Sequence, residues 1–293
     1  MPIIKYTVLL IIFSLSCVTG NDEGNPAIDY REKMREFVQN ISSWTKSTSS
    51  GFLIIPQNGQ ELFTENGEFS GLIAVEYIAA IDATGREDLF FGYNNDDELT
   101  PEIETEWMIG FLALGLTYGK EAFVTDYCRT EWKVDSSYAW NDDAGFISFA
   151  ADHRELDNIP VYPAEPWNVN QDDVTSLEDV KNFLYLIDPE QYSSKNDYLD
   201  ALGNTDYDLL IIDLYWNEEQ LSLADVEGLR NKASGGCRLV IAYMSIGEAE
   251  DYRYYWQSDW NENPPFWLCS ENPEWPGNYI VKYWESQWQN IIF

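Results

Sequence analysis

The chain has 293 residues, 45% of them hydrophobic, enough to bury a substantial core as one large domain or two small ones. Its 51 acidic and 17 basic residues leave a formal charge of -34, which argues against nucleic-acid backbones and anionic membrane surfaces and favours a neutral or cationic partner. A single histidine excludes sites built from several imidazoles, and four widely spaced cysteines without a Cys-x-x-Cys pair provide neither a zinc site nor a disulfide framework.

Residues 7–16 form a short apolar run behind Lys5, ending at Cys17 and Gly20; it is too short to span a bilayer comfortably, so residues 1–20 read as an export signal. Ser14-Leu15-Ser16-Cys17 loosely matches a lipobox, which leaves two outcomes open: a lipid anchor on Cys17, or a plain cut near Gly20. Either gives a secreted or envelope-anchored protein with no transmembrane span. Residues 21–50 make a polar linker and a helix from Tyr30 to Thr45, whose apolar stripe is Met34, Phe37, Val38, Ile41 and Trp44.

Residues 51–293 are expected to form one domain. Seven apolar runs of strand length follow: Gly51–Pro56, Tyr77–Asp82, Ala122–Tyr127, Gly145–Ala150, Asn182–Ile187, Tyr207–Leu214 and Arg238–Ser245. Between them, Thr100-Pro101 marks a helix start with Thr100 as cap, Ser194 to Leu202 suggests another helix, and Ser222 to Asp225 has capping-box spacing before a helix closed by Gly235-Gly236. Strands that are continuously apolar and alternate with helices indicate an α/β fold with a buried parallel sheet. Lacking a Gly-x-Gly-x-x-Gly turn and a phosphate loop, the chain reads as a (β/α)8 TIM barrel rather than a doubly wound nucleotide fold. From Asp251 onward six of the 12 tryptophans and several prolines predict a long aromatic loop.

Two of the runs end in carboxylates, at Asp82 to Asp88 and at Glu248 to Asp251. Acidic groups where strands open into loops, among many aromatics, suit carbohydrate hydrolysis at a barrel mouth. Glu87, beside Leu89-Phe90-Phe91, is the candidate proton donor through desolvation, with pairing to Arg86 as its plainer alternative. Asp213 ends an apolar run and Asp126 has the same placement; Asp82 lies at the end of its run as well. Arg253 is spaced to clamp Glu248 or Glu250. Trp216, Tyr243 and Trp284 have flat faces suited to sugar rings, and Gln57 follows the first strand, where it can bond a hydroxyl or amino group.

The strings Ile81 to Tyr93, Tyr243 to Arg253 and Asn272 to Tyr279 resemble the bacterial and archaeal family 114-type glycoside hydrolases related to endo-α-1,4-polygalactosaminidases, over about Gly51 to Phe293. The resemblance implies a TIM-barrel enzyme cleaving an α-linked, galactosamine-rich polysaccharide with carboxylates and no cofactor or metal. It places the Arg86-Glu87-Asp88 motif where a catalytic glutamate sits, and the placement of the other residues adds Asp213 and Glu248 as catalytic candidates, with Gln57, Asp82, Asp126, Trp216, Tyr243, Arg253 and Trp284 as substrate-binding candidates. A further family strand, resembling Gly-Phe-Asp-Gly-Val-Tyr-Leu-Asp and carrying the second catalytic acid, has no counterpart after Ile292. The expectation is therefore a barrel short of its last strand, and either an impaired enzyme or a catalytically silent carbohydrate-binding protein.

Overall fold

A computed structural model describes residues 9–12 (backbone alone), 28–217 and 219–293. The candidate anchor Cys17 and the cut near Gly20 lie outside the described residues. In chain order the strands are β1 (Leu9–Ile12), β2 (Ile54–Gln57), β3 (Ala83–Glu87), β4 (Glu121–Tyr127), β5 (Ile147–Ala151), β6 (Phe183–Leu186), β7 (Leu209–Ile212), β8 (Tyr215–Trp216), β9 (Glu219–Gln220), β10 (Leu239–Tyr243), β11 (Glu248–Glu250), β12 (Leu268–Glu271) and β13 (Asn278–Val281). The helices are α1 (Tyr30–Thr48), α2 (Val75–Ala80), α3 (Glu102–Thr117), α4 (Glu131–Ala144), α5 (Lys195–Gly203), α6 (Leu223–Leu229) and α7 (Ser286–Ile292).

Eight strands make one wholly parallel sheet in the order β5-β4-β3-β2-β1-β10-β7-β6. Rings from the two ends of that order touch: Phe123 of β4 and Phe149 of β5 lie 5.5 and 5.8 Å from Phe183 of β6. The sheet therefore curls around a concave core, although among the described residues no hydrogen-bonded ladder joins β5 to β6. Strand alternation puts Gln57, Gly85, Glu87, Thr125, Tyr127, Ala151, Tyr185, Asp213 and Tyr243 on this concave side near the C-terminal ends.

Six of the seven expected strands are present. The seventh, Tyr77–Asp82, is helix α2 ending at a turn, and β3 begins one residue later at Ala83. Its alanines suit a helix, and Tyr77 and Ile78 bury against Phe63 and α1. The sheet does not stop at seven strands either: β1, from the run assigned to an export signal, lies between β2 and β10, where the absent strand was expected to leave a gap.

Thr100 is not the cap of α3. Pro101 holds that position, and the Thr100 hydroxyl donates to the Asp88 carbonyl at 2.8 Å. Helix α6 has the expected capping box at Ser222 and Asp225 but ends at Leu229, before the glycines. The anticipated aromatic loop after Asp251 contains β12, β13 and α7, the two strands forming an antiparallel sheet with β11 in the order β11-β13-β12, and Trp267 and Trp288 are buried together at 5.2 Å. Five of the six tryptophans there build a second core with α1.

Candidate active site

Two polar groups occupy the C-terminal side of the concave face. The first centres on Glu87, the last residue of β3. Its Oε2 accepts the Asn58 side-chain amide at 2.7 Å, its Oε1 accepts the Tyr127 hydroxyl, and its backbone N–H donates to Asn58 Oδ1 at 3.1 Å. Both carboxyl oxygens thus accept from protein donors. The run Leu89-Phe90-Phe91 does not cover Glu87; Phe91 stacks on Trp140 of α4 at 5.6 Å. The expected apolar wall around Glu87 is thus replaced by polar donors.

Asp88 follows with φ at 62°, a left-handed conformation that aspartate tolerates better than most residues. Arg154, just beyond β5, donates to Asp88 Oδ1 at 3.1 Å, to the Gly92 carbonyl at 2.7 Å and to Asp96 at 3.0 Å. Its guanidinium lies 4.4 Å from the centre of the Tyr127 ring. Burial first, and then the charge of Glu87, lift Asp88 to about 7 against the opposing pull of Arg154.

The second group is an ion-pair cluster. Arg253 forks onto Asp213 with both contacts at 2.7 Å and reaches Glu250 at 2.6 Å, while the Tyr252 hydroxyl donates to Glu250 at 2.7 Å. Burial raises the Asp213 carboxyl above its ordinary value even though Arg253 pulls it down. Asp213, Tyr215, Tyr243, Glu250 and Arg253 are among the residues lining a cavity of about 600 Å³, together with apolar side chains that include Trp44, Val240 and Phe293. Glu87 does not line that cavity.

Tyr185 lies between the two groups. Burial, followed by the charge of Glu87, pushes its phenol well above the ordinary value, and burial, Glu250 and Tyr185 act likewise on Tyr243. The Tyr185 hydroxyl and the Gln57 amide nitrogen are buried and have no hydrogen-bond partner. Gly85 leaves the room that the Gln57 side chain occupies: a Cβ there would lie 1.8 Å from Gln57 Oε1.

Glu248 lies on β11, two residues from Glu250 and on the same face by strand alternation, where Asn272 and Asn278 donate to its carboxylate at 2.8 and 3.3 Å. Four expected substrate contacts are placed elsewhere. Asp82 precedes β3 at the N-terminal side of the sheet, pairing with Lys46 at 2.9 Å and accepting the Ile54 N–H at 2.7 Å. Asp126 is wholly buried on the convex side, where Phe90, Phe91, Ser137 and Asn141 all donate to it. The Trp216 indole donates to the Tyr192 carbonyl at 3.1 Å, and it is Tyr215 that faces the cavity. Trp284 packs on Tyr30 at 4.8 Å in the second core.

Sequence reasoning passed over Asp88, Tyr127, Arg154 and Tyr185 as site residues. Tyr127 was within reach, because a one-residue step along β4 exchanges the concave side for the convex one, and the carboxylate of Asp126 drew the choice to the wrong neighbour. Arg154 had no local signal, since its hydrogen-bonding partners come from 58 to 66 residues away. Among the described residues no group of three or more His, Cys, Asp or Glu is placed to hold a metal ion. No described helix is long and apolar enough to cross a membrane.

Residues 168–293 match the glycoside-hydrolase family GH114. That stretch contains Tyr185, Asp213, Tyr243, Glu248, Glu250 and Arg253, while Gln57 and Glu87 lie before it. The uncharacterized protein MJ1477 of Methanocaldococcus jannaschii is 38% identical over 149 residues, 50% of this chain and 42% of that protein. An uncharacterized protein of Thermotoga maritima is 36% identical over 115 residues, 38% of this chain and 32% of its own length. One of Deinococcus radiodurans is 39% identical over 93 residues, 32% of this chain and 29% of its own length. The chain thus spans less than half the length of each of these relatives.

Proposed function

We propose that this chain forms the catalytic barrel of a glycoside hydrolase acting on an α-linked, galactosamine-rich polysaccharide. The observation that carries the reading is the match of residues 168–293 to a glycoside-hydrolase family, which takes in the Asp213–Arg253–Glu250 cluster lining the cavity. The curled parallel sheet supports closure of β5 on β6 into a (β/α)8 barrel. Glu87 supplies the carboxylate chemistry, and the doubly accepting geometry suits a base or nucleophile better than a proton donor. Asp213 and Glu250, fixed by Arg253, offer anionic acceptors to sugar hydroxyl or ammonium groups, with Tyr215 and Tyr243 as apolar faces. Glu248, Gln57 and Tyr185 add polar contacts around this floor.

Release of reducing ends from partially acetylated α-1,4-galactosamine polymer tests the reading. Glu87→Gln is expected to lower kcat by about 10²- to 10⁴-fold, and Asp213→Asn to raise KM. Wild-type protein that neither cleaves nor binds the polymer refutes the proposal.

One observation favours a second reading, a carbohydrate-binding protein without turnover. Both oxygens of Glu87 and both of Asp213 already accept from protein donors, an arrangement that also serves to hold fixed acceptors for a bound sugar. Binding of the polymer with no reducing ends released, in wild type and Glu87→Gln alike, selects that reading.

A further inference from the structure

We propose that Arg154 is the positioning residue of the Glu87 group: it fixes the ring of Tyr127, and through that ring the Glu87 carboxylate, while holding the neighbouring Asp88 side chain in place. The inference rests on the proposed hydrolase reading for its catalytic consequence, but not for its structural content.

Arg154 is anchored at several points. Its backbone N–H donates to Asp96 Oδ2 at 3.1 Å, its Nε to Asp96 Oδ1 at 3.0 Å, and its Nη2 to both Asp88 and the Gly92 carbonyl. These bonds tie the start of the segment after β5 to the loop after β3. With its edge held, the guanidinium plane covers Tyr127 at 4.4 Å, and the phenol beneath it donates to Glu87. Burial, and next the charge of Glu87, push the Tyr127 phenol well above its ordinary value, so it remains a donor across the working pH range. The buried, unpartnered Gln57 amide and Tyr185 hydroxyl lie on the same concave side, and the charge of Glu87 reaches Tyr185. Two donors free to take a ligand oxygen thus share the face that Arg154 organises.

The groups bearing on Asp88 are Glu87 and Arg86 of the preceding strand β3, Arg154, Tyr127 and Tyr93. Arg154 is a cation that favours the ionised Asp88, so its removal must shift the titration of Asp88 upward. A lysine keeps the charge but loses the planar fork that stacks and bonds together. Charge and positioning are therefore separable.

The experiment is a carbon-13 carboxyl titration of the full chain, with the Asp88 resonance assigned by Asp88→Asn, alongside kinetics on the galactosamine polymer. In wild type Asp88 should titrate near about 7. Arg154→Met should raise that midpoint and cut kcat by about 100-fold with KM within about twofold. Arg154→Lys, the milder change should the methionine variant fail to fold, should restore the midpoint and leave kcat depressed. An Asp88 midpoint indifferent to Arg154→Met, or a lysine variant with wild-type kcat, overturns the inference. Absence of turnover in the wild type sinks the hydrolase reading alone; the titration, and a crystal structure of Arg154→Met showing whether Tyr127 still meets Glu87, then decide the role of Arg154.

Discussion

Asp88 and Asp97 show opposite ways of placing a carboxylate in one loop. Asp88, with a side chain only 19% exposed, is lifted to about 7 by burial and then by Glu87. The folded chain keeps that proton after an unfolded chain, with an ordinary value near about 3.9, has released it. Stability from this group is therefore intact below about pH 4 and is lost as pH rises to about 7. Asp88→Asn removes the loss: urea unfolding should show a gain of about 2–4 kcal/mol at pH 8 and little change at pH 4. Asp97 is the reverse case. Burial opposes its charge, but donors from Thr130, Arg129 and Lys133 outweigh it and hold the carboxyl well below the usual range. It thereby ties the two residues that precede α4, and Lys133 of its first turn, to a distant loop. That stability is present above about pH 4 and fades as pH falls through the lower native value. Asp97→Ala should cost about 1–3 kcal/mol at pH 7, measured by urea unfolding, and much less at pH 2.

Among the elements, β3 carries the greatest constraint from its length and composition. It must present Glu87 to the concave face at its end, and Gly85, two residues earlier on the same face, leaves space for the Gln57 side chain from β2. Gly85→Ala puts a methyl group into the Gln57 amide, so it should destabilise by about 1–3 kcal/mol. Shortening Gln57 to alanine in the same chain should recover most of that, and a double-mutant cycle of unfolding free energies measures the coupling. Additive effects would show that the two side chains do not compete for one space. Helix α6 depends on local chemistry instead: Ser222 and Asp225 satisfy each other's backbone N–H groups, and Ser222→Ala should cost about 1 kcal/mol.

For the whole molecule the dominant quantity is the charge of -34. A field of this sign draws a cationic amino-sugar polymer and is screened beyond roughly 10 Å at 0.1 M salt. Binding of a largely deacetylated galactosamine polymer should therefore weaken steeply with added sodium chloride, whereas binding of its fully acetylated, neutral counterpart should barely respond. Isothermal titration at several salt concentrations distinguishes the two, and equal salt dependence would rule out electrostatic recruitment.

Local physics made much of this legible in the amino-acid sequence: six strands from their continuous apolar runs, α1 from its stripe, α6 from its cap, and the position of Asp213 where an apolar run ends. Each depends on near neighbours, and hydrogen-bonding and periodicity act at that range. What the tertiary structure alone decided was which side of a strand mattered and which distant residues met there. Asp126 and Tyr127 differ by one step yet face opposite sides, the Ala-containing run at 75–80 became helix because burial against α1 outweighed its resemblance to a strand, and Arg154 acquired its partners only when the ends of β3, β4 and β5 were brought side by side. Strand order is a long-range property, and the Glu87 group exists because it sets the ends of β2, β3 and β4 side by side.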